Sequence, residues 1–231
     1  MKDNYEICLV GPKATLFPYR PAHVPKYHEW MKDPALLEAT DSEPLSFEEE
    51  VKMQQSWCVD PLKCTFIVHA SEACDLGDSE VSVEKNLHAM VGDVNLFLSH
   101  VEPEEDEEGT AGALTLPPPT AEKPLIQAEI DIMIAENNYK RRGLGKAATC
   151  SMLLYGANKL NVHRFFCKIN EDNLASIKLF EGLGFTQCDY AACFKQVELE
   201  LVEPLKKLNE ILKPDGDYRV LKCPERTDEK S

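Results

Sequence analysis

Residues 128 to 146 constrain the fold more than any other part of the chain. Ala128-Glu129-Ile130-Asp131-Ile132-Met133-Ile134 alternates acid and aliphatic before turning wholly apolar, the period of a strand with one buried face. Asn138-Tyr139-Lys140-Arg141-Arg142-Gly143-Leu144-Gly145-Lys146 follows with two glycines and four cations. Leu144, Ala148, Met152 and Tyr155 then recur at helical spacing as far as Leu160. A strand that runs through a glycine turn into a helix presents backbone amides and positive charge at the helix N-terminus. That is the chemistry that holds a pyrophosphate.

The rest of the chain reads as one mixed α/β domain around a central sheet, in the order β-α-α-β-β-β-α-β-α-β-β. Residues 14–20 form a first strand, and Pro21 opens a helix with Val24, Tyr27, Trp30 and Met31 at helical spacing. Ser46-Phe47-Glu48-Glu49 is a capping box for a second helix reaching about Trp57. Thr65–Val68 is a buried strand, and residues 88–92 run into 93–99 with a bulge near Gly92. Further strands fall at 164–169 and within 185–203, and a helix from Asn173 to Glu181 closes on Gly182 and Gly184. Residues 70–86, small, acidic and polar, read as a flexible excursion. Residues 101–124, an acid run ending in Pro117-Pro118-Pro119, read as a flexible insertion in a hairpin. The domain is expected over 1–213, with 214–231 a polar tail.

Charge and composition exclude several function classes. The net charge is −15, and −9 once the six acids of residues 102–108 are set aside, which argues against a nucleic-acid partner. No apolar run approaches the ~20 residues of a membrane span, and Met1–Glu6 lacks the apolar core of a signal peptide. No membrane partner is expected, and the expected compartment is cytoplasmic (cytosol or nucleus). Nine cysteines at irregular spacing, without a CxxC pair, read as reduced buried thiols, so no metal site is expected. His88 and His163 read as packing or surface residues.

Two familiar phosphate motifs fail on the glycine turn. A P-loop needs Gly-x-x-x-x-Gly-Lys-Ser/Thr, but Ala147 follows Lys146 and Lys140 stands at the upstream glycine position. A dinucleotide fingerprint follows the first strand of its unit, whereas this turn follows three or four. What remains is the spacing Arg/Gln-x-x-Gly-x-Gly/Ala. Downstream, Asn173-Leu174-Ala175-Ser176-Ile177-Lys178-Leu179-Phe180-Glu181-Gly182-Leu183-Gly184-Phe185 sets an asparagine before a short helix that ends in Leu-Gly-Phe. With both signatures in strand–helix context, the sequence resembles the GCN5-related N-acetyltransferase superfamily over most of its length. Pro18–Pro21, Tyr27–Met31, Ser42–Leu45, Met53-Gln54, Cys64–Val68 and Gly92-Asp93-Val94-Asn95-Leu96-Phe97 resemble its tubulin-directed branch, which is related to the ribosomal-protein alanine acetyltransferases.

The resemblance implies a single-domain acetyltransferase fold, with a mixed central sheet flanked by helices and a splayed strand pair at the coenzyme site. It implies acetyl-CoA as co-substrate, no metal, and a protein amine as acceptor, with the N-terminus of α/β-tubulin or microtubules as partner. By the same resemblance, main-chain groups of Met133, Ile134 and Ala135 pair with the pantetheine arm as an added strand does. The amides of Arg141, Arg142, Gly143, Leu144, Gly145 and Lys146 wrap the pyrophosphate. Lys140 stands where the family carries arginine or glutamine. Asn173 matches a coenzyme-contacting asparagine and is equally a helix N-cap. Phe180 stands where many relatives carry a tyrosine that protonates the departing thiolate, a role phenylalanine cannot fill. Glu129 is the first choice for the base that takes the amine proton, and Asp131, on the same face, is the second. Glu38, Thr40, Ser42 and Glu43 fall in the segment that shapes the acceptor side. Two other readings stay open: a fold that binds coenzyme A or microtubules without efficient catalysis, and acetylation of small amines.

Overall fold

The computed structural model describes residues 4–101, 125–202, 204 and 218–225. In chain order its strands are β1 (Ile7–Val10), β2 (Ala14–Pro18), β3 (Lys63–Ala70), β4 (Met90–His100), β5 (Ile126–Ile134), β6 (Val162–Asn170), β7 (Thr186–Ala191), β8 (Gln196–Val202) and β9 (Arg219–Lys222). The helices are α1 (Val24–Trp30), α2 (Pro34–Ala39), α3 (Phe47–Val59), α4 (Val83–Asn86), α5 (Leu144–Lys159) and α6 (Leu174–Glu181). All nine strands lie in one sheet in the order β7-β8-β6-β5-β4-β3-β2-β1-β9. Only β5 and β6 run parallel, and α5 is the crossover between them.

Alternation along the strands divides the interior into two faces. Phe66 and Val68 of β3, Val94 and Leu96 of β4 and Ile130 of β5 pack against α5. Ile67, Met90 and Met133 point the other way, to Tyr27, Trp30 and Met31 of the α1 region. α5 is buried nearly all round, from Ala147 to Leu153 and again from Tyr155 to Ala157, as a helix crossing the middle of a sheet must be. The capping box forms at α3: Glu49 N–H donates to Ser46 Oγ at 3.3 Å, and Ser46 N–H donates to Glu49 Oε2 at 2.9 Å.

Residues 88–99 were expected as two strands and form one, β4, in which the register against β3 slips between Val68 and His69. The bulge falls beside Gly92. A Cβ on Gly92 would collide with the carbonyl oxygen of Met133, so only glycine lets β5 approach there. Residues 70–86, expected as a flexible excursion, are tied down at several points. Val81 and Val83 are buried with Phe17 and Leu221. The Asn86 side chain accepts from Asp75 N–H at 2.7 Å and donates to the carbonyl oxygens of Asp75 and Ser82. Two isolated valines and one asparagine do this, too few to register in composition. Residues 102–124 lie outside the described residues. Val101 N–H donates to Leu125 O at 2.9 Å, so that stretch joins hairpin neighbours.

β1 and β9 are additions to the expected order, and residues 219–222 fall within the expected polar tail. There they pair antiparallel with β1, Ile7 opposite Lys222. Arg20 fastens this edge: Nη2 donates to the carbonyls of Tyr5 (2.6 Å) and Cys223 (3.0 Å), and the guanidinium lies 3.6 Å from the centre of the Tyr5 ring. No helix among the described residues is long and apolar enough to cross a membrane.

Candidate active site

The site begins where β5 and β6 part. Their parallel register runs from Ile126 opposite Val162 to Glu129 opposite Phe166 and stops. Beyond it, β5 continues to Ile134 along β4, and β6 continues to Asn170 along β8. Residues 130–134 of β5 therefore keep one edge without a neighbouring strand among the described residues. Ala135 N–H donates to Val91 O at 2.9 Å, and antiparallel pairs alternate between bonded and non-bonded. It follows that Met133 and Ala135 turn their main-chain groups towards β4. Ile132 and Ile134 turn theirs to the open edge. Of the three residues expected to meet the pantetheine arm, Ile134 turns its main chain to the opening and Met133 and Ala135 turn theirs to β4; Ile132 shares the open edge with Ile134. One hydrogen bond fixes this parity, and sequence alone gives no sign of it.

The glycine turn leads from that edge into α5. Arg141 has φ of 60° and Gly143 φ of 84°, a left-handed conformation that glycine adopts freely. The first helical hydrogen bond runs from Ala147 N–H to Gly143 O at 3.0 Å. The amides of Leu144, Gly145 and Lys146 come ahead of it, at the positive end of the helix. Arg142 is engaged with Glu72 at 2.7 Å and sits 5.0 Å from the Tyr139 ring centre. A cation the sequence did not flag comes from the β1–β2 turn: the Lys13 ammonium stands 3.2 Å from where a Cβ on Gly143 would lie. Asn173 caps α6, its Oδ1 accepting from Ser176 N–H at 3.2 Å, and also forms part of the cavity wall.

A cavity of about 690 Å³ fills the space between the parted strands, α1, the α2–α3 connection and the β7–β8 hairpin. Six carboxylates face it, from Asp41, Asp93, Glu129, Asp131, Asp189 and Glu198, against one ammonium, Lys168. Thr40 and Ser42 line it too. Glu38 is not part of the lining; its carbonyl accepts from Asn170 Nδ2 at 3.3 Å and ties α2 to the end of β6. Phe180 is buried on the wall with its ring centre 5.0 Å from that of Phe185.

Three of these acids, Asp93, Asp131 and Glu129, hold their protons more tightly than usual. Burial pushes Asp93 up to about 6, against hydrogen bonds from Asn95 and Tyr27 that favour its charged form. Asp131 is pushed up to about 7, first by loss of solvation and then by the neighbouring carboxylates of Glu129 and Asp93, with Lys168 opposing. Asp131 is nonetheless open to water through the cavity mouth, and that water screens part of the effect. Glu129 is raised by burial as well, with Lys168 lowering it and Glu198 raising it. Among the described residues, no three His, Cys, Asp or Glu side chains are grouped to hold a metal.

An open strand edge followed by a glycine-initiated helix is the arrangement that the resemblance to acetyltransferases implies, and the family comparison points to the same class. The acetyltransferase (GNAT) domain family matches residues 13–186, and the chain belongs to that family as an N-acetyltransferase. It is 44% identical to an N-acetyltransferase 9-like protein of Nematostella vectensis, over 87% of this chain and 88% of that one. It is 40% identical to alpha/beta-tubulin-N-acetyltransferase 9 of Mus musculus, over 90% of this chain and 76% of that one. Among solved structures, spermidine N-acetyltransferase from Vibrio cholerae in complex with CoA and spermine superposes with a TM-score of 0.59. That match has 16% identity and covers 85% of this chain and 98% of that one, a likeness of fold alone.

Proposed function

We propose that this chain transfers the acetyl group of acetyl-CoA to a protein α-amine, with the N-terminus of α/β-tubulin as acceptor, in the cytoplasm. The observation that carries the reading is the open β5 edge, which joins a glycine-initiated helix at one end and an acidic cavity along its side. The edge suits an arm built of amides, with Ile132 and Ile134 offering N–H and C=O groups. The first turn of α5, with Arg141 and Lys13, suits a pyrophosphate. When bound, acetyl-CoA supplies the acetyl group as a thioester. The names of the relatives supply tubulin.

The geometry favours Asp131 over Glu129 as base, reversing the order taken from sequence. Glu129 stands on the last rung where β5 and β6 are still joined, while Asp131 lies two residues further, in the opening. A carboxylate that titrates near 7 is matched to taking a proton at neutral pH. An α-ammonium with pKa ~8 needs less help than a lysine at ~10.4. Asp131 takes one proton from the ammonium, the C–N bond forms and the C–S bond breaks. The amide nitrogen releases its second proton to water, and Asp131 returns the first to the departing sulfur. Phe180 then needs no acid role.

Mass-spectrometric acetylation of tubulin and of free N-terminal peptides tests the reading. Transfer no greater than that of a Gly143→Val/Gly145→Val control would sink it. Faster transfer to polyamines than to peptides would assign the acidic cavity to small amines instead.

A further inference from the structure

Gly92-Asp93-Val94-Asn95-Leu96-Phe97 places two polar side chains where a buried strand ordinarily carries apolar ones. Asp93 and Asn95 alternate onto the cavity face of β4, with Asn95 directly opposite Asp131 on β5. Asp93 accepts from Asn95 Nδ2 at 2.8 Å and from the Tyr27 hydroxyl at 3.4 Å. A carboxylate only accepts, so it fixes the otherwise ambiguous Asn95 amide with nitrogen towards Asp93 and oxygen away. That oxygen, Oδ1, has no hydrogen-bond partner among the described residues, although Asn95 is only 6% exposed. A buried acceptor without a donor is unfavourable and calls for a reason.

We propose that Asn95 Oδ1 seats the acceptor amine: it accepts one N–H of the incoming nitrogen while Asp131, across the ladder, takes a proton from the same atom. Asp93 and Tyr27 are positioning residues that hold the amide in this orientation. The ligand class is a primary amine, which donates in both directions. This assignment rests on the acetyltransferase reading above and adds to it the group that holds the acceptor.

The test uses steady-state kinetics of the full chain with a peptide bearing the tubulin N-terminus, beside calorimetric binding of coenzyme A. Asn95→Ala is expected to raise the peptide KM about tenfold or more, with coenzyme A affinity held within about twofold. Asp93→Asn lets the Asn95 amide turn and gives part of that loss. The double variant is no worse than Asn95→Ala, because the two residues act through one contact. A peptide KM within about twofold of wild type, in an Asn95→Ala protein that still binds coenzyme A, overturns the seat. Additive losses in the double variant overturn the role of Asp93. Should Asn95→Ala lose coenzyme A binding by misfolding, Asn95→Ser decides by the same two readouts. A wild type that binds coenzyme A but acetylates no amine overturns both this assignment and the reading beneath it.

Discussion

From Ile126 to Glu129, β5 is bonded on both edges; from Ile130 to Ile134, among the described residues, it is bonded to β4 alone. The alternation of polar and aliphatic residues runs from Gln127 to Asp131, across the point where the strands part, yet the electrostatics of the two halves differ. In the closed half, Arg164 reaches across three strands. Its Nε donates to Glu200 at 2.7 Å, Nη2 to Glu198 at 3.1 Å and Nη1 to Gln127 at 2.8 Å. Glu198 and Glu200 are matched there by a planar cation with a fixed fork of donors. In the open half, Asp131 is opposed by the Lys168 ammonium, and Asp93 is held by hydrogen bonds from Asn95 and Tyr27 without a cation beside it among the described residues. Carboxylates are paired around Arg164 and outnumber cations along the cavity, where on the proposed reading a cationic acceptor would enter. The floor is built for rigidity, the opening for binding.

The largest expected effect separates the two acids on one strand. Asp131→Asn lowers kcat/KM for the acceptor by ~10²–10⁴, and Glu129→Gln by less than about tenfold. Equal losses would break the distinction between the halves. Next, Arg164→Met strips the closed half of its cation and costs about 2–3 kcal/mol of stability by denaturant titration. A loss no greater than that of Lys168→Met would show the floor to be no more rigid than the opening. Gly92→Ala, which forces a Cβ onto the Met133 carbonyl, costs about 1–3 kcal/mol. Gly145→Ala, whose Cβ would meet only the Ile134 side chain at 3.6 Å, costs far less.

The pH dependence sharpens the contrast. Asp93 and Asp131 are raised to about 6 and about 7, above the ordinary aspartate value of 3.8. Between those values and the ordinary one the folded chain holds more protons than the unfolded chain. Their contribution to stability therefore grows as pH falls from about 7 towards 4, while transfer, which needs ionised Asp131, declines. Melting temperature and kcat/KM measured across that range should slope in opposite directions, with an apparent midpoint shared among the neighbouring carboxylates of Asp131, Asp93 and Glu129. Parallel slopes would exclude Asp131 as base. The smallest effect is at Lys13, where Lys13→Ala raises acetyl-CoA KM severalfold at most, about 0.3–1 kcal/mol.

Local signals carried most of the fold. The strand–turn–helix at 128–159, the capping box at Ser46 and Glu49, and Asn173 heading α6 are all short-range events, and each stands where its residues placed it. What the sequence withheld depends on long-range pairing. Glu129 and Asp131 share a face by alternation, but which of them lies in the opening depends on where β6 turns to follow β8. The main-chain parity of Ile132 and Ile134 depends on one bond to Val91. Lys13 reaches the turn at Gly143 from the far end of the sequence, and Asp93 with Asn95 read as strand residues until Tyr27 is seen against them.

The edge made by β1 and β9 has a consequence for how the chain comes together. The Tyr5 hydroxyl's hydrogen bond to Glu225 spans 220 residues, so this edge closes the longest loop among the described residues. Loop closure of that size is slow, and its contacts reward the chain only after the rest of the sheet is in place. During synthesis the acetyl-transfer half of the sheet can assemble while the last strand is still in the ribosome, leaving β1 as an exposed edge until β9 emerges. Hydrogen exchange along β1 should report that late closure, as the first ladder to open and the last to protect.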